Sequence, residues 1–287
     1  MTKKIRDMLS EGPTFSIELF PPKSPEAQQR LRTALDELAE LDLSFASVTY
    51  GAGGSTRDKT QETVEDVRRA GMTAMPHLTC IAHSRAELVD LLESYRDAGY
   101  VNVLALHGDP PRDNPDIAAG ELTRAVQLIE LIREVGDFSV GAAAHPEGHP
   151  KAPDRKTDRE HQAAKLKAAD FGVTQFFFDA QDYLRLVDDL ERLGVETPII
   201  PGIIPITNAG QVQKFAAMAG ATVPHDLVAR LDAAGDDTDE VRRIGVDVAT
   251  DLGKRLLDEG VPGLHVYALN RSRATRELHA NLGLPVG

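Results

Sequence analysis

Residues 84–109 read SRAELVDLLESYRDAGYVNVLALHGD. Leu88, Leu91, Leu92 and Tyr95 recur at the i, i+3, i+4, i+7 spacing of a helix that buries one stripe. Gly99 follows, where a left-handed residue closes a helix at little steric cost. The period then changes. Val101–Leu106 is a short, nearly continuous apolar run, the pattern of a strand covered on both faces, and it stops at His107-Gly108-Asp109. An amphipathic helix feeding a doubly covered strand, whose far end turns abruptly polar, is the repeating unit of a parallel α/β fold.

The same alternation extends in both directions. Further strands are predicted at Phe15–Phe20, Phe45–Tyr50, Thr73–Leu78, Ser139–Ala144, Val173–Phe178, Ile199–Ile203 and Leu264–Ala268. Leu31, Ala34, Leu35 and Leu38 mark one more helical stripe, and Tyr183, Leu186, Leu190 and Leu193 another. Ser24-Pro25 opens the first of these helices with a cap and an N1 proline, while Gly71 and Gly194 stand as stops. Eight strands alternating with helices in 287 residues predict an α/β protein built as a single (β/α)8 TIM barrel over residues 1–287. An open doubly wound sheet is the competing arrangement. Residues 220–258 carry extra helical sequence before the last strand, and no low-complexity linker marks a second domain.

Composition narrows the partners. Apolar residues make up 41% of the chain, enough for a sizeable core, but Trp is absent and aromatic residues reach only 5%, which argues against a protein that stacks nucleic-acid bases. A formal net charge of −13 repels phosphate backbones and anionic membranes, so neither is an expected partner. It leaves room for an anionic small molecule in a locally basic pocket. Cys80 is the only cysteine; it excludes an intrachain disulfide and reads as a buried structural thiol rather than a nucleophile. The N-terminus lacks the apolar segment of a signal peptide and no stretch has membrane-span length, so a cytoplasmic protein is expected.

In a (β/α)8 barrel the reacting groups sit at the C-terminal ends of the strands. Here those ends carry Glu18, Thr49-Tyr50, His77, His107-Gly108-Asp109, His145 to His149, Gln175 and Tyr267 to Arg271. Glu18 has two readings. It is an ordinary outward-facing charge, or it is a carboxyl held among Ile17, Leu19 and Phe20, where desolvation disfavours the charged form and suits a general acid. Asp109 is either turn chemistry after Gly108 or a fixed negative charge facing a cationic intermediate. His145 and His149 bracket Glu147, yet Pro146 and Gly148 argue against a helix that presents both imidazoles, and no third and fourth ligand stands out, so no metal is expected. There is no GxGxxG after the first strand and no P-loop.

Seven collinear segments carry a resemblance: Ser16 to Lys23, Val48 to Ala52, Pro76 to Cys80, Ala105 to Asp109, Thr174 to Asp179, Ile200 to Pro205, and Leu269-Asn270-Arg271. Together they resemble the bacterial type of methylenetetrahydrofolate reductase, in order and spacing, over nearly the whole chain. The resemblance implies reduction of 5,10-methylenetetrahydrofolate to 5-methyltetrahydrofolate with NADH or NADPH, in a family that often forms homo-oligomers. Glu18 matches the family's general acid, and Asp109 the carboxylate that hydrogen-bonds the pterin and stabilises the 5-iminium cation. Gln175, Gln211, Phe215 and Arg271 match substrate-contacting positions.

The family normally carries FAD. The positions that the resemblance assigns to cofactor contact are Thr49, Tyr50, Ala52, His77, Leu106, His107, Gly108, His145, His149, Ala152, Asp158, His161 and Lys165. Several depart from the family pattern. His107 replaces the usual Arg, Ala118 and His145 stand where Tyr is usual, and His161 and Ala164 replace Asn and Arg. These changes remove aromatic surface and guanidinium charge, and a histidine does not reproduce the bidentate fork of an arginine. The expectation is weak or absent FAD binding, with hydride passing directly from the nicotinamide nucleotide. Two alternatives stay open: an ordinary FAD-dependent reductase, and a non-catalytic folate-binding protein.

Overall fold

The computed structural model describes residues 3–51, 57–110 and 120–285. Its strands are β1 (Thr14–Leu19), β2 (Phe45–Val48), β3 (Ala74–Thr79), β4 (Asn102–Leu106), β5 (Ser139–Ala144), β6 (Phe171–Phe176), β7 (Ile199–Ile203) and β8 (Gly263–Tyr267). They pair in parallel in sequence order and close into a barrel where β8 meets β1. The closed barrel excludes the open-sheet arrangement.

The helical stripes pack as their spacing requires. Helix α1 (Ile5–Glu11) precedes the barrel; α2 (Pro25–Leu38) buries Leu31, Ala34, Leu35 and Leu38. After α3 (Arg57–Arg69) comes α4 (Arg85–Asp97), which buries Leu88, Leu91, Leu92 and Tyr95. Helices α5 (Ala125–Val135) and α6 (Arg155–Ala168) continue the ring, and α7 (Ala180–Arg192) buries Tyr183, Leu186 and Leu190. Leu193 falls past the end of α7 and is 37% exposed, so the stripe stops one residue short of its predicted length. The Ser24 hydroxyl caps α2 by accepting the Ala27 N–H.

Strand β6 lies two residues earlier than predicted. Gly172 sits inside it because a Cβ there would stand 2.7 Å from Leu166, so the strand can approach its covering helix only with glycine. Phe177 then lies beyond the strand and stacks on Tyr183 at 6.0 Å. Residues 220–258 hold α9 (His225–Ala234) and α10 (Thr238–Asp258), after α8 (Ala209–Ala219). Leu227, Leu231, Val241 and Ile244 pack with Ile206 and Val212 in a cluster of their own. The last helix is α11 (Arg273–Asn281). Among the described residues no helix is long and apolar enough to cross a membrane.

Strand period decides which groups see the lumen. In β1, Phe15, Ile17 and Leu19 point outward and join Leu31 and Leu35 in the main core. Ser16 and Glu18 point inward. Glu18 is therefore not enclosed by its apolar sequence neighbours, as one reading of the sequence had it; residues of β3 and β8 surround it instead.

The lower end of the barrel is plugged. Ile5 of α1 packs with Phe45, Met75, Leu104 and Phe171 inside the lumen. The Ile5 N–H donates to Asn102 Oδ1 at 2.8 Å, Asn102 Nδ2 donates to the Lys3 carbonyl at 3.0 Å, and the Arg6 N–H donates to Ser139 Oγ at 3.0 Å. Asn102 and Ser139 begin β4 and β5, so α1 is fastened to strand N-termini and the opposite end remains for chemistry.

Candidate active site

A cavity of about 520 Å³ opens at the C-terminal ends of the strands. Glu18, Thr49, Tyr50, His77, Leu106, His107, Gly108, Asp109, His145, His149, Lys165 and Gln175 all line it. Lys165 projects from α6, and the others come from six different strands or the loops that follow them, which explains why no short motif carries the site.

Glu18 occupies the floor. Its carboxylate lies 3.6 Å from His77 Nε2 and 3.9 Å from His265 Nε2. Ser16 Oγ meets His265 Nδ1 at 2.8 Å and Ser47 Oγ meets Nε2 at 3.3 Å, while Phe45 stacks on the ring at 5.8 Å. That imidazole is thus held on both edges and one face. Burial pushes His77 down to about 4, against the pull of Glu18, so at pH 7 it is a neutral neighbour of the carboxyl and not a counter-ion. The Tyr267 hydroxyl donates to the Thr174 carbonyl at 2.8 Å. Burial, with Glu18 adding to it, raises that phenol well above its ordinary range and keeps it neutral.

The rim carries the charges. Gly108 has φ +86°, and a Cβ there would stand 2.8 Å from the side chains of Thr79 and Ile81, so only glycine lets the chain turn here and present Asp109. Asp109 forms an ion pair with Lys151 across the mouth. His107 is exposed and donates its Nδ1 proton to the Gly108 carbonyl at 2.8 Å. On the β5 side, His145 and His149 meet edge to face at 4.7 Å. Burial, reinforced by Lys165, holds His145 down to about 3, and burial lowers His149 as well. Lys165 is pushed down to about 8 by burial that outweighs the attraction of Asp158. Gln175 Oε1 accepts the Phe176 N–H at 3.1 Å, which leaves its NH2 to donate.

Other predicted positions lie apart from this cavity. Asp158 is buried in the structure beneath it, where it accepts from the His149 N–H at 3.2 Å, Arg159 at 3.0 Å and Gln162 at 2.7 Å. Ala152 follows the loop, its N–H donating to the His149 carbonyl at 2.9 Å, and His161 is on the exposed side of α6. Gln211 and Phe215 border a separate small hollow with Leu269, and Arg271 is exposed just beyond it. Ala52 and Ala118 fall outside the described residues. Two groups of the site escaped sequence reasoning: Lys151 and His265. For His265 a signal existed, since it has the same inward parity as Tyr267 and pairs in register with Ser16. Among the described residues no group of three or more His, Cys, Asp or Glu is arranged to hold a metal ion.

A closed (β/α)8 barrel with an acid on its floor and charged groups converging on its C-terminal mouth is built as an enzyme. The family model for methylenetetrahydrofolate reductase matches residues 3–283, and the chain belongs to that family of oxidoreductases. It is 37% identical over 273 residues to the 5,10-methylenetetrahydrofolate reductase of Pectobacterium carotovorum, covering 94% of this chain and 90% of that one. The Escherichia coli enzyme is 37% identical over 276 residues, with 95% and 91% covered. A methylenetetrahydrofolate reductase (NADH) from Arabidopsis thaliana is 35% identical, covering 98% of this chain and 50% of that longer one. Among solved structures, a Clostridium thermocellum protein that binds two copies of 5-methyl-5,6,7,8-tetrahydrofolic acid superposes with a TM-score of 0.69 at 14% identity, over 97% of each chain; at that identity the likeness concerns the fold.

Proposed function

We propose that this chain reduces 5,10-methylenetetrahydrofolate to 5-methyltetrahydrofolate by direct hydride transfer from NADH, with folate and nucleotide bound together in the one cavity. The observation that carries this reading is the placement of Glu18 and Asp109, ninety-one positions apart, on the walls of the same 520 Å³ space. Glu18 supplies a proton to the bridging nitrogen of the folate. The bond from that nitrogen to the methylene carbon breaks, its electron pair stays on nitrogen, and a methylene iminium remains on the pterin side. Asp109 opposes the developing positive charge, a kind of fixed electrostatic stabilisation worth about 3 kcal/mol of barrier in typical sites. Hydride from C4 of the dihydronicotinamide then adds to the methylene carbon, and the nicotinamide leaves oxidised. Water reprotonates Glu18.

His77, neutral at 3.6 Å from Glu18, adds no fixed positive charge that would hold the carboxyl as an ion. Gln175 offers its NH2 to the pterin. Gln211, Phe215 and Arg271, beside the hollow at the ends of β7 and β8, suit the aromatic and carboxylate arm of the folate.

FAD is what the family implies, and the cations of the cavity are the test of its fit. Those that line it among the described residues are two ammonium groups: Lys151, already paired with Asp109, and the half-buried Lys165. His107 spends its Nδ1 proton on its own loop, and His145 is half-buried and held neutral by desolvation. A prosthetic dinucleotide retained through every turnover needs nanomolar affinity, while a co-substrate that comes and goes needs only micromolar, a difference of about 4 kcal/mol. This thin set of diphosphate partners suits the second kind of ligand. The test is the absorption spectrum of natively purified protein, with and without added FAD, alongside steady-state kinetics. The reading expects no flavin band and intersecting double-reciprocal lines. A stoichiometric flavin band with parallel lines overturns it.

A further inference from the structure

Lys151 lies in the loop between β5 and α6, and its ammonium pairs with Asp109 across the mouth of the cavity that both residues line. The two side chains are 66% and 73% exposed. Ion pairs so open to water are typically worth about 0–1 kcal/mol, so this one opens readily. Its base, in contrast, is fixed. The Lys151 N–H donates to His149 Nδ1 at 3.1 Å, and the His149 N–H in turn donates to Asp158 Oδ1 at 3.2 Å. A flexible side chain thus swings from an anchored point at the rim.

Asp109 has a competing use. The amidine edge of a pterin presents two parallel N–H donors, which match both oxygens of one carboxylate. Lys151 occupies Oδ1. A pterin that takes both oxygens competes with the ammonium for Oδ1, and an ammonium that yields stands unpaired beside a cavity that also receives a dinucleotide. In a chain of net charge −13 the approach of a diphosphate is opposed by the overall field, so a released local cation matters.

We propose that Lys151 is an exchangeable counter-ion that leaves Asp109 when a pterin binds and turns to a phosphate of the nicotinamide dinucleotide, so that each ligand promotes binding of the other. This rests on the reading that both ligands occupy the cavity at once. By thermodynamic linkage the promotion is reciprocal.

The test uses the full-length protein and the unreactive pair 5-methyltetrahydrofolate and NADH, with binding followed by NADH fluorescence and calorimetry. In the wild type, saturating 5-methyltetrahydrofolate tightens NADH binding. With 5-methyltetrahydrofolate saturating, Lys151→Ala weakens NADH binding about tenfold, the size of one charge-assisted hydrogen bond. The same variant tightens 5-methyltetrahydrofolate binding without NADH by about threefold, because a competitor of the strength of an exposed pair is gone. Lys151→Arg keeps both wild-type values to within about twofold, since it keeps the charge. Opposite signs on the two ligands are the distinguishing result, because a general loss of structure weakens both. If the wild type binds both ligands together and Lys151→Ala changes both affinities by less than twofold, or weakens both, the inference is overturned and the proposed function stands. If the two ligands exclude one another in the wild type, the shared-cavity reading falls and takes the inference with it.

Discussion

Acidification of the protein puts the floor of the site under a specific strain. His77 is 4% exposed, and its Nε2 has no hydrogen-bond partner among the described residues. Burial pushes it from 6.5 to about 4, while Glu18 at 3.6 Å pulls less strongly the other way. In the unfolded chain the imidazole titrates near its ordinary value. Above pH 6.5 both states leave it largely neutral; between 6.5 and 4 the unfolded state binds the proton and the folded state does not. The folded state is thus at its most stable, as far as this group is concerned, above pH 6.5, and it loses that stability as pH falls toward 4. From pH 7 to pH 5 the loss from His77 alone is roughly 2 kcal/mol. That is a large share of the roughly 5–15 kcal/mol that holds a typical domain folded. Urea unfolding midpoints at the two pH values, taken with a common slope, measure it. His77→Gln keeps a neutral polar side chain without the proton site, and its drop between pH 7 and pH 5 is expected to be smaller by that amount. Equal drops in the two proteins refute the reasoning, whatever the absolute stability of the variant.

Two further outcomes follow from the same geometry. Glu18→Gln removes the proton donor while keeping shape, so kcat should fall about 10²–10⁴-fold with the affinity for 5-methyltetrahydrofolate nearly unchanged; rapid turnover by this variant, measured as NADH oxidation, removes Glu18 from the acid role. The Asn270 side chain accepts the Phe20 N–H at 2.9 Å and donates to the Phe20 carbonyl at 2.7 Å, from a backbone with φ +59°. Asn270→Ala loses both bonds and puts a residue less suited than Asn in the left-handed region, for about 2 kcal/mol in all, or a fall of about 3 °C in Tm. Asn270→Gly should lose less, because it relieves the backbone; a larger fall for Gly than for Ala contradicts that division.

The strands were legible because parallel strands covered on both faces give unbroken apolar runs. That same density hid some detail. In β1 the run drew attention to Ile17 and Leu19 as the surroundings of Glu18, when the period of two sends them to the outer core and leaves Glu18 facing His77 and His265. Strand β6 slipped by two residues because Gly172 and the preceding Asp170 look like a turn until the packing of Leu166 is known. Polar residues at strand ends marked most of the cavity lining, since a barrel places those ends on one rim. Lys151 was invisible for the opposite reason: an exposed loop has no periodicity, and its meaning comes only from the Asp109 across the mouth. Asp158 was singled out by resemblance alone, and its place in the packing was not legible in the sequence. Its carboxylate accepts from the His149 N–H, Arg159 and Gln162, contacts that no periodicity announces.

Direct hydride transfer is tested most closely by isotope tracing through turnover. NADH dideuterated at C4 is supplied in ordinary water with 5,10-methylenetetrahydrofolate, and the methyl group of the product is read by mass spectrometry. If hydride passes straight from nicotinamide to the methylene carbon, every product molecule carries one deuterium. A flavin relay holds the transferred hydrogen on a ring nitrogen that exchanges with solvent, so deuterium lost to water, together with a stoichiometric flavin in the purified protein, contradicts the account.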